Sequence, residues 1–502
     1  MKTVLVSILI AVALWGCSAG KASFSASRKY SPGELQKDYA LYEDILEAHH
    51  PGLYWYTPKD TMQAYFQWGR EQLKDSLTEA EFRKVLSFVT AKINCGHTTV
   101  RPSKKWSKYN DTVRYAKLFP LSIKVWPDTM VITANLNRRD SILHRGTVIT
   151  SINGWSVAKI VDTMFQYIST DGYNHTHKYQ SLSNRGYFGS LYSSLFGLPD
   201  KYSIGYLDST GQERLTTTAV FDPLKDTLLR RLIRAGQKEV RPNRKQRKEQ
   251  ELNSVRLLKI DSVNKTAMMD LSSFARGYNL KHFFKTSFRA LHEHKITHLI
   301  IDVRSNGGGS VTNSTLLTRY LADHPFKIAD TLYALRKKSP YFHYIQNHSW
   351  NKLFIGIFTH RRRDGFYHFG YFEKHYFKPR RPNHFNGKVY ILTGGNSFSA
   401  TTLFASALIK QDNVVVVGEE TGGGAYGNSA WLIPDVTLPV TGIRFRLPLF
   451  RLVIDKNVPK IGRGVQPEVP VFPTVEAIRN NRDIKTERAM ELIKEDKAGK
   501  NQ

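Results

Sequence analysis

Four short, nearly continuous apolar runs constrain this chain most: Ala267 to Leu271, His298 to Val303, Val389 to Leu392 and Val414 to Val417. A strand with one wet face alternates in polarity, so runs that stay apolar belong to strands covered on both faces, as in an α/β layer. The last two runs bracket a helical stretch from about Ser399 to Lys410, which makes one βαβ-type unit.

The N-terminal half has a different texture. Ser31-Pro32-Gly33-Glu34 places Ser at an N-cap, Pro at the first helical position and Glu where it completes a capping box. A second start at Thr78 and Glu81 opens an apolar stripe of Phe82, Val85, Leu86, Val89 and Ile93. Residues 31–108 therefore read as a small helical domain. From 109 to 205 the alternation of Leu121 to Val125 and Met130 to Thr133 predicts half-buried strands and a β-rich module. Within it, Arg145 to Gly154 resembles the PDZ segment in which a strand meets an Asn-Gly turn, with a helix from about Val157. The Gly-rich carboxylate loop of PDZ domains has no counterpart before it. A basic linker (206–256), a core (257–480) with an aromatic and basic insertion (335–385), and a charged tail (481–502) complete the expected division.

Lys and Arg number 73 against 43 Asp and Glu, a formal charge of +30. Nucleic acid, an anionic membrane surface or an acidic substrate would each suit that balance. The N-terminus bears on compartment, because Met1-Lys2 precedes an apolar run from Val4 to Trp15 that is too short for a stable membrane span. Residues 1–16 read as a signal peptide. Leu14-Trp15-Gly16-Cys17 resembles a bacterial lipobox, which implies lipidation at Cys17, a tether over 17–30 and a place on the cell envelope, periplasmic or surface-facing. The alternative is a secretory signal with an incidental cysteine. An exported chain meets little nucleic acid, so none is expected as partner, and the insertion is expected to approach or cover a site. Cys95 is the one other cysteine, which leaves no disulfide framework.

Two elements carry chemistry. In Val389 to Ala400 a buried strand ends in small residues and a helix begins at a serine, whose hydroxyl faces free N–H groups and the positive helix end. Acyl transfer needs such donors for its tetrahedral intermediate, although a serine opening a helix is commonly only a cap. In Asp302 to Ser310 another strand ends in three glycines, which can present backbone N–H groups to a ligand. No Lys-Ser/Thr follows in Walker spacing and no dinucleotide glycine pattern is present. There is no His-Glu-x-x-His and no paired-cysteine motif, so neither metal nor cofactor is expected. No carboxylate pair stands out for glycoside chemistry.

Those two elements, with Val416 to Gly424 beyond them, resemble the carboxyl-terminal-processing (tail-specific) protease family over residues 31 to about 475. The resemblance implies a crotonase-like or Clp-protease-like α/β core, a PDZ domain upstream, and a serine endopeptidase acting on polypeptides. It places the nucleophile on Ser399, with Ser397 as rival, and an oxyanion hole on the N–H groups of Ala400 and Gly308. Asp302 and Arg304 are assigned to holding the glycine loop. The family's usual lysine base falls on Gly424. The tricorn-like, histidine-containing branch instead uses a Gly-His element, matched by Gly96-His97, so His97 is the expected base. That branch's glutamate falls on Ile461, which leaves Glu419 and Glu420 as candidate orienting acids. A peptide-binding lipoprotein that keeps the fold without catalysis is the other class the missing lysine permits.

Overall fold

The computed structural model describes residues 24–113, 115–226 and 242–500. The signal segment, the expected lipidation site Cys17, the first half of the tether and the middle of the basic linker lie outside the described residues. Helices α1 (Pro32–His49), α2 (Lys59–Glu71) and α3 (Glu79–Ala91) open the fold. Both expected capping boxes form, Ser31 with Glu34 and Thr78 with Glu81. Each satisfies two otherwise orphaned N–H groups, and such a cap stabilises by about 1 kcal/mol.

These helices do not make a domain of their own. Leu35, Tyr39, Tyr42, Phe82 and Leu86 share one core with Leu332, Val436, Phe445 and Leu452, more than 230 residues further on. Asp38, fully buried, accepts from the N–H groups of Val440 (3.0 Å) and Thr441 (2.8 Å) and from the Thr441 hydroxyl (2.7 Å). The reason is the width of the apolar stripe, which three short helices cannot cover among themselves.

The β-rich module has its own core, in which Phe119, Ile123, Ile152, Tyr192 and Ile204 are buried together. It contains β1 (Leu121–Trp126), β2 (Thr129–Asn135), β3 (Val148–Ile152), α4 (Val157–Phe165), α5 (His175–Ser183), α6 (Tyr187–Phe196), β4 (Lys201–Leu207) and β5 (Glu213–Ala219). The strands pair in the order β1-β2-β3-β4-β5. Asn153 and Gly154 turn β3 into Trp155–Ser156 with φ of 51° and 78°, the double positive φ of a type I′ hairpin. β5 corrects the expected boundary at 205, since Lys201 to Leu207 pair with Ala219 to Glu213. Its polar sequence suits an edge strand.

After α7 (Arg244–Val255), the sheet that positions the site uses β6 (Arg256–Asp261), β7 (Thr266–Leu271), α8 (Leu280–Glu293), β8 (His298–Asp302) and α9 (Val311–Leu321). β9 (Thr331–Ala334) leads into the insertion, which holds α10 (His348–Phe358), β10 (His360–Arg361), β11 (Tyr367–His368) and α11 (Gly370–Lys374). The chain then returns through β12 (Lys388–Thr393), α12 (Ala400–Leu408), β13 (Val414–Gly418), β14 (Gly427–Ala430), β15 (Phe450–Val453), β16 (Val469–Pro470) and α13 (Ile484–Lys500). The order is β6-β7-β8-β12-β13-β16, parallel from β7 to β16, with β6 antiparallel at the edge. All four apolar runs are strands of this sheet.

The charged tail packs on this sheet: α13 buries Ala489 and Ile493 against Ile300, Tyr390, Leu392 and Val417. A helix whose apolar contacts are so few gives little periodic signal. Among the described residues no helix is long and apolar enough to cross a membrane.

Candidate active site

The parallel strands β8 and β12 lie side by side, so their carboxyl ends bring the glycine loop and the serine turn together. Ser399 takes φ 58° and ψ −120° immediately before α12, and its side chain caps no helical N–H. A non-glycine residue held this way is strained, and a strand-to-helix turn of this kind aims its hydroxyl outward as a nucleophile elbow does. Ser399 indeed lines a cleft of about 1250 Å³, with Gly309, Ser310, Asn428, Leu452 and Arg446 among its neighbours. Ser397, the rival, is fully buried and committed: its hydroxyl donates to the Val303 carbonyl at 2.8 Å and accepts from the Gly394 N–H at 3.1 Å.

Ala400 is the first helical residue, so its N–H has no intrahelical acceptor. Gly308 packs against it. A β-carbon at Gly308, whose φ is 93°, would stand 2.6 Å from the Phe398 carbonyl oxygen, 2.8 Å from Ser399 Cβ and 2.9 Å from Ala400 N. The Gly308 N–H, however, donates to Asn306 Oδ1 at 2.9 Å. That donor is spent within its own loop, and it is Gly309 that lines the cleft. Asp302 and Arg304 hold the loop as expected, with the Arg304 guanidinium bridging Asp302 (2.6 Å) and Asp483 (2.8 Å).

His97 is buried, and neither ring nitrogen has a hydrogen-bond partner. No hydrogen bond therefore joins it to Ser399. The ring lies against Phe398, centroids 4.8 Å apart, and Phe398 stacks on His177 from its other neighbour at 4.9 Å. Burial, aided by the positive charge of Arg446, pushes the His97 pKa down to about 3, so the imidazole is neutral at pH 7.

A carboxylate that sequence reasoning missed stands beside it. Asp171 Oδ1 lies 4.0 Å from His97 Nδ1, at 2% side-chain exposure. Its oxygens accept from the N–H groups of Gly96 (2.8 Å) and Gly424 (3.3 Å), while burial raises its pKa to about 6. At pH 7 the site thus holds an ionised carboxylate next to a neutral imidazole. Asp171 follows α4 in the β-rich module, and no local motif distinguishes it.

The two glutamates are committed elsewhere, which overturns their candidacy as orienting acids. Glu419 pairs with Lys485 at 2.6 Å. Glu420 receives the Arg463 guanidinium at 2.9 and 2.6 Å, the Gly464 N–H at 2.6 Å and the Thr176 hydroxyl at 2.9 Å. At Gly424, where a lysine base would fall, a β-carbon would lie 2.6 Å from the Gly427 carbonyl oxygen, so this backbone excludes a side chain. Cys95, His97 and Asp171 place one ligand atom each within 4.8 Å of one another, and all three are buried. Two of them already have roles in the geometry above.

A strained serine at a helix start, the free Ala400 N–H beside it and a neutral histidine near a carboxylate are the kinds of group that a serine peptidase uses. Residues 265–471 match the model of Peptidase family S41. No curated protein matches the sequence. Among solved structures the chain is similar to mature CPAF at 14% identity, covering 92% of this chain and 97% of that one with a TM-score of 0.61. Mature CPAF complexed with lactacystin matches at 14% identity, 92% and 98% coverage and 0.61. The photosystem II D1 C-terminal processing protease matches at 12% identity over 89% and 96%, with a TM-score of 0.39. The CPAF likeness establishes a shared fold.

Proposed function

We propose that the chain is an endopeptidase of the carboxyl-terminal-processing type, acting on exported polypeptides through Ser399 and His97. The observation that carries this reading is the Ser399 turn, strained at φ 58° and opening into the cleft while Ser397 is locked inside. His97 takes the proton as Ser399 Oγ attacks the scissile carbonyl, then returns it to the leaving amine. Water repeats the sequence on the acyl-enzyme and releases the new carboxylate. Negative charge on the intermediate oxygen is met by the Ala400 N–H, with Gly309 in the place first given to Gly308. Asp171 is the positioning residue, holding the imidazole and stabilising the imidazolium as it forms.

The core is crotonase-like in this reading, the β-rich module is a PDZ-like unit that presents polypeptide, and Cys17 carries the lipid that tethers the protein to the cell envelope. Proton transfer requires His97 and Ser399 to come together from the present arrangement, a movement that substrate supplies. A second reading, a peptide-binding protein without catalysis, is favoured by the unpartnered His97 nitrogens. A fluorophosphonate probe separates the two. Covalent labelling of the wild type that disappears in Ser399→Ala and falls in His97→Ala supports the peptidase. Peptide cleavage that survives both substitutions would sink the mechanism.

A further inference from the structure

The cleft that Ser399 opens into has a one-sided charge. Arg276, Lys281, Arg319, Arg380 and Arg446 all line it, and no Asp or Glu does. Among the described residues none of these five cations forms an ion pair. Arg319 Nε donates to the Lys378 carbonyl at 2.8 Å, and Arg380 lies over the Tyr320 ring at 5.0 Å with its Nε buried and unpartnered. Some cations elsewhere are paired, as Arg304, Arg463 and Lys485 are. Arg446 is the cation whose position matters most, because it shares the cleft with Ser399 and is close enough to His97 to depress that residue's basicity. It is half-buried; desolvation and the nearby Arg101 lower its own pKa, and Asp435 on the paired strand offsets this only in part without forming an ion pair with it. A guanidinium taken out of water without an anion is costly, and a carboxylate bound in bidentate fashion offsets that cost.

Most of the aromatic lining comes from the insertion. Trp350, Phe354, Phe369, Tyr371 and Phe372 face the same space, and Trp350 and Tyr371 are 63% and 55% exposed. At about 1250 Å³ the cleft exceeds the usual range of roughly 300–1,000 Å³ for small-molecule pockets, and suits several residues of extended chain.

We infer that this cleft selects polypeptide segments carrying carboxylates beside bulky apolar side chains, with Arg446 receiving a carboxylate next to the scissile bond. The inference rests on the peptidase reading for the location of the scissile bond, but the recognition itself does not require catalysis. Carboxylates come from Asp and Glu side chains or from a free chain end, and the two are separable.

The test is therefore made first on binding, by fluorescence anisotropy with the full-length Ser399→Ala chain. The probes are labelled decapeptides of one apolar pattern: amidated with two Glu, amidated with two Gln, and Gln-containing with a free carboxyl terminus. Tighter binding of the Glu peptide than of the Gln amide, by about tenfold or more at low salt and shrinking as salt screens the field, supports side-chain recognition. A gain confined to the free-terminus peptide assigns the carboxylate to the chain end. Equal affinity for all three overturns the inference. In Arg446→Gln the Glu-to-Gln affinity ratio should collapse by about fivefold or more, and exposed Arg276→Ala provides a second variant should the first fail to fold. On the catalytically competent chain, kcat/KM should follow the same order. Selective binding without cleavage would retain the cleft assignment and reject the peptidase reading, whereas cleavage without acid preference would do the reverse.

Discussion

Replacing Ser399 by glycine and by alanine should give two equally inactive proteins of different stability. The backbone at Ser399 sits at φ 58° and ψ −120°, and its hydroxyl makes no cap bond to the helix that follows. Holding a side chain in such a region costs about 1–3 kcal/mol. Alanine keeps the β-carbon and hence the strain; glycine removes both. Against this relief stands the greater freedom of glycine in the unfolded chain, about 0.4–1 kcal/mol. The β-carbon also packs near Gly308, and a buried CH₂ is worth up to about 0.8 kcal/mol. The balance favours Ser399→Gly over Ser399→Ala by about 1 kcal/mol, which for a core of this size raises Tm by roughly 2–4 °C. Calorimetry on the two variants, alongside urea unfolding to check that m is unchanged, measures the difference. A glycine variant that melts below the alanine variant would refute the claim that strain is stored at the nucleophile.

Other outcomes follow from the same geometry. Asp171→Asn should lower kcat by about 10²-fold or more with a smaller change in KM, because its partner His97 loses the charge that stabilises the imidazolium; a pH–rate profile whose acidic limb does not move would assign Asp171 a purely structural role. Glu420→Gln should cost about 2–3 kcal/mol by uncoupling Arg463 and Gly464 yet leave fluorophosphonate labelling of the folded protein intact; loss of labelling below the melting transition would return Glu420 to the active site. The fold should also be acid-labile. Burial lowers His49 to about 4 and His50 and His97 to about 3, so the unfolded chain binds protons first as pH falls below about 6.5, and stability drops with each. Asp171, raised to about 6, opposes this between about pH 6 and 4 because the folded state then holds the extra proton. Asp38, also raised by burial, opposes it in the same sense, while His175 and His177, also lowered by burial, add to it. Five histidines outweigh two aspartates, so Tm should fall from pH 7 to 4.5; a flat profile would show that the histidines titrate normally.

The elements that sequence reading located best are those whose signal is local. Continuous apolar runs identify β7, β8, β12 and β13 because burial on both faces leaves no room for alternation. The capping boxes at Ser31 and Thr78 are legible because both partners lie within one turn. Asp171 is the opposite case. Its neighbours Gly96 and Gly424 stand 75 and 253 positions away, and only the folded chain brings them to one carboxylate. Glu419 and Glu420 drew notice by following a strand, but Lys485 and Arg463, supplied by later segments, decide what they do. β5 was hidden for a different reason: an edge strand of Glu, Arg and Thr carries no apolar pattern and runs toward the basic stretch.

The core shared by the first helices and the last strands bears on how the protein is made. A ribosome-bound chain that ends before about residue 436 has no Val436, Phe445 or Leu452 to cover α1, and no Val440 or Thr441 to neutralise the need of buried Asp38 for donors. The first three helices therefore lack most of their core until nearly the whole polypeptide has emerged, whereas the β-rich module carries its own. Contacts of such separation are slow to form. The delay withholds His97 from Ser399 until synthesis is almost complete.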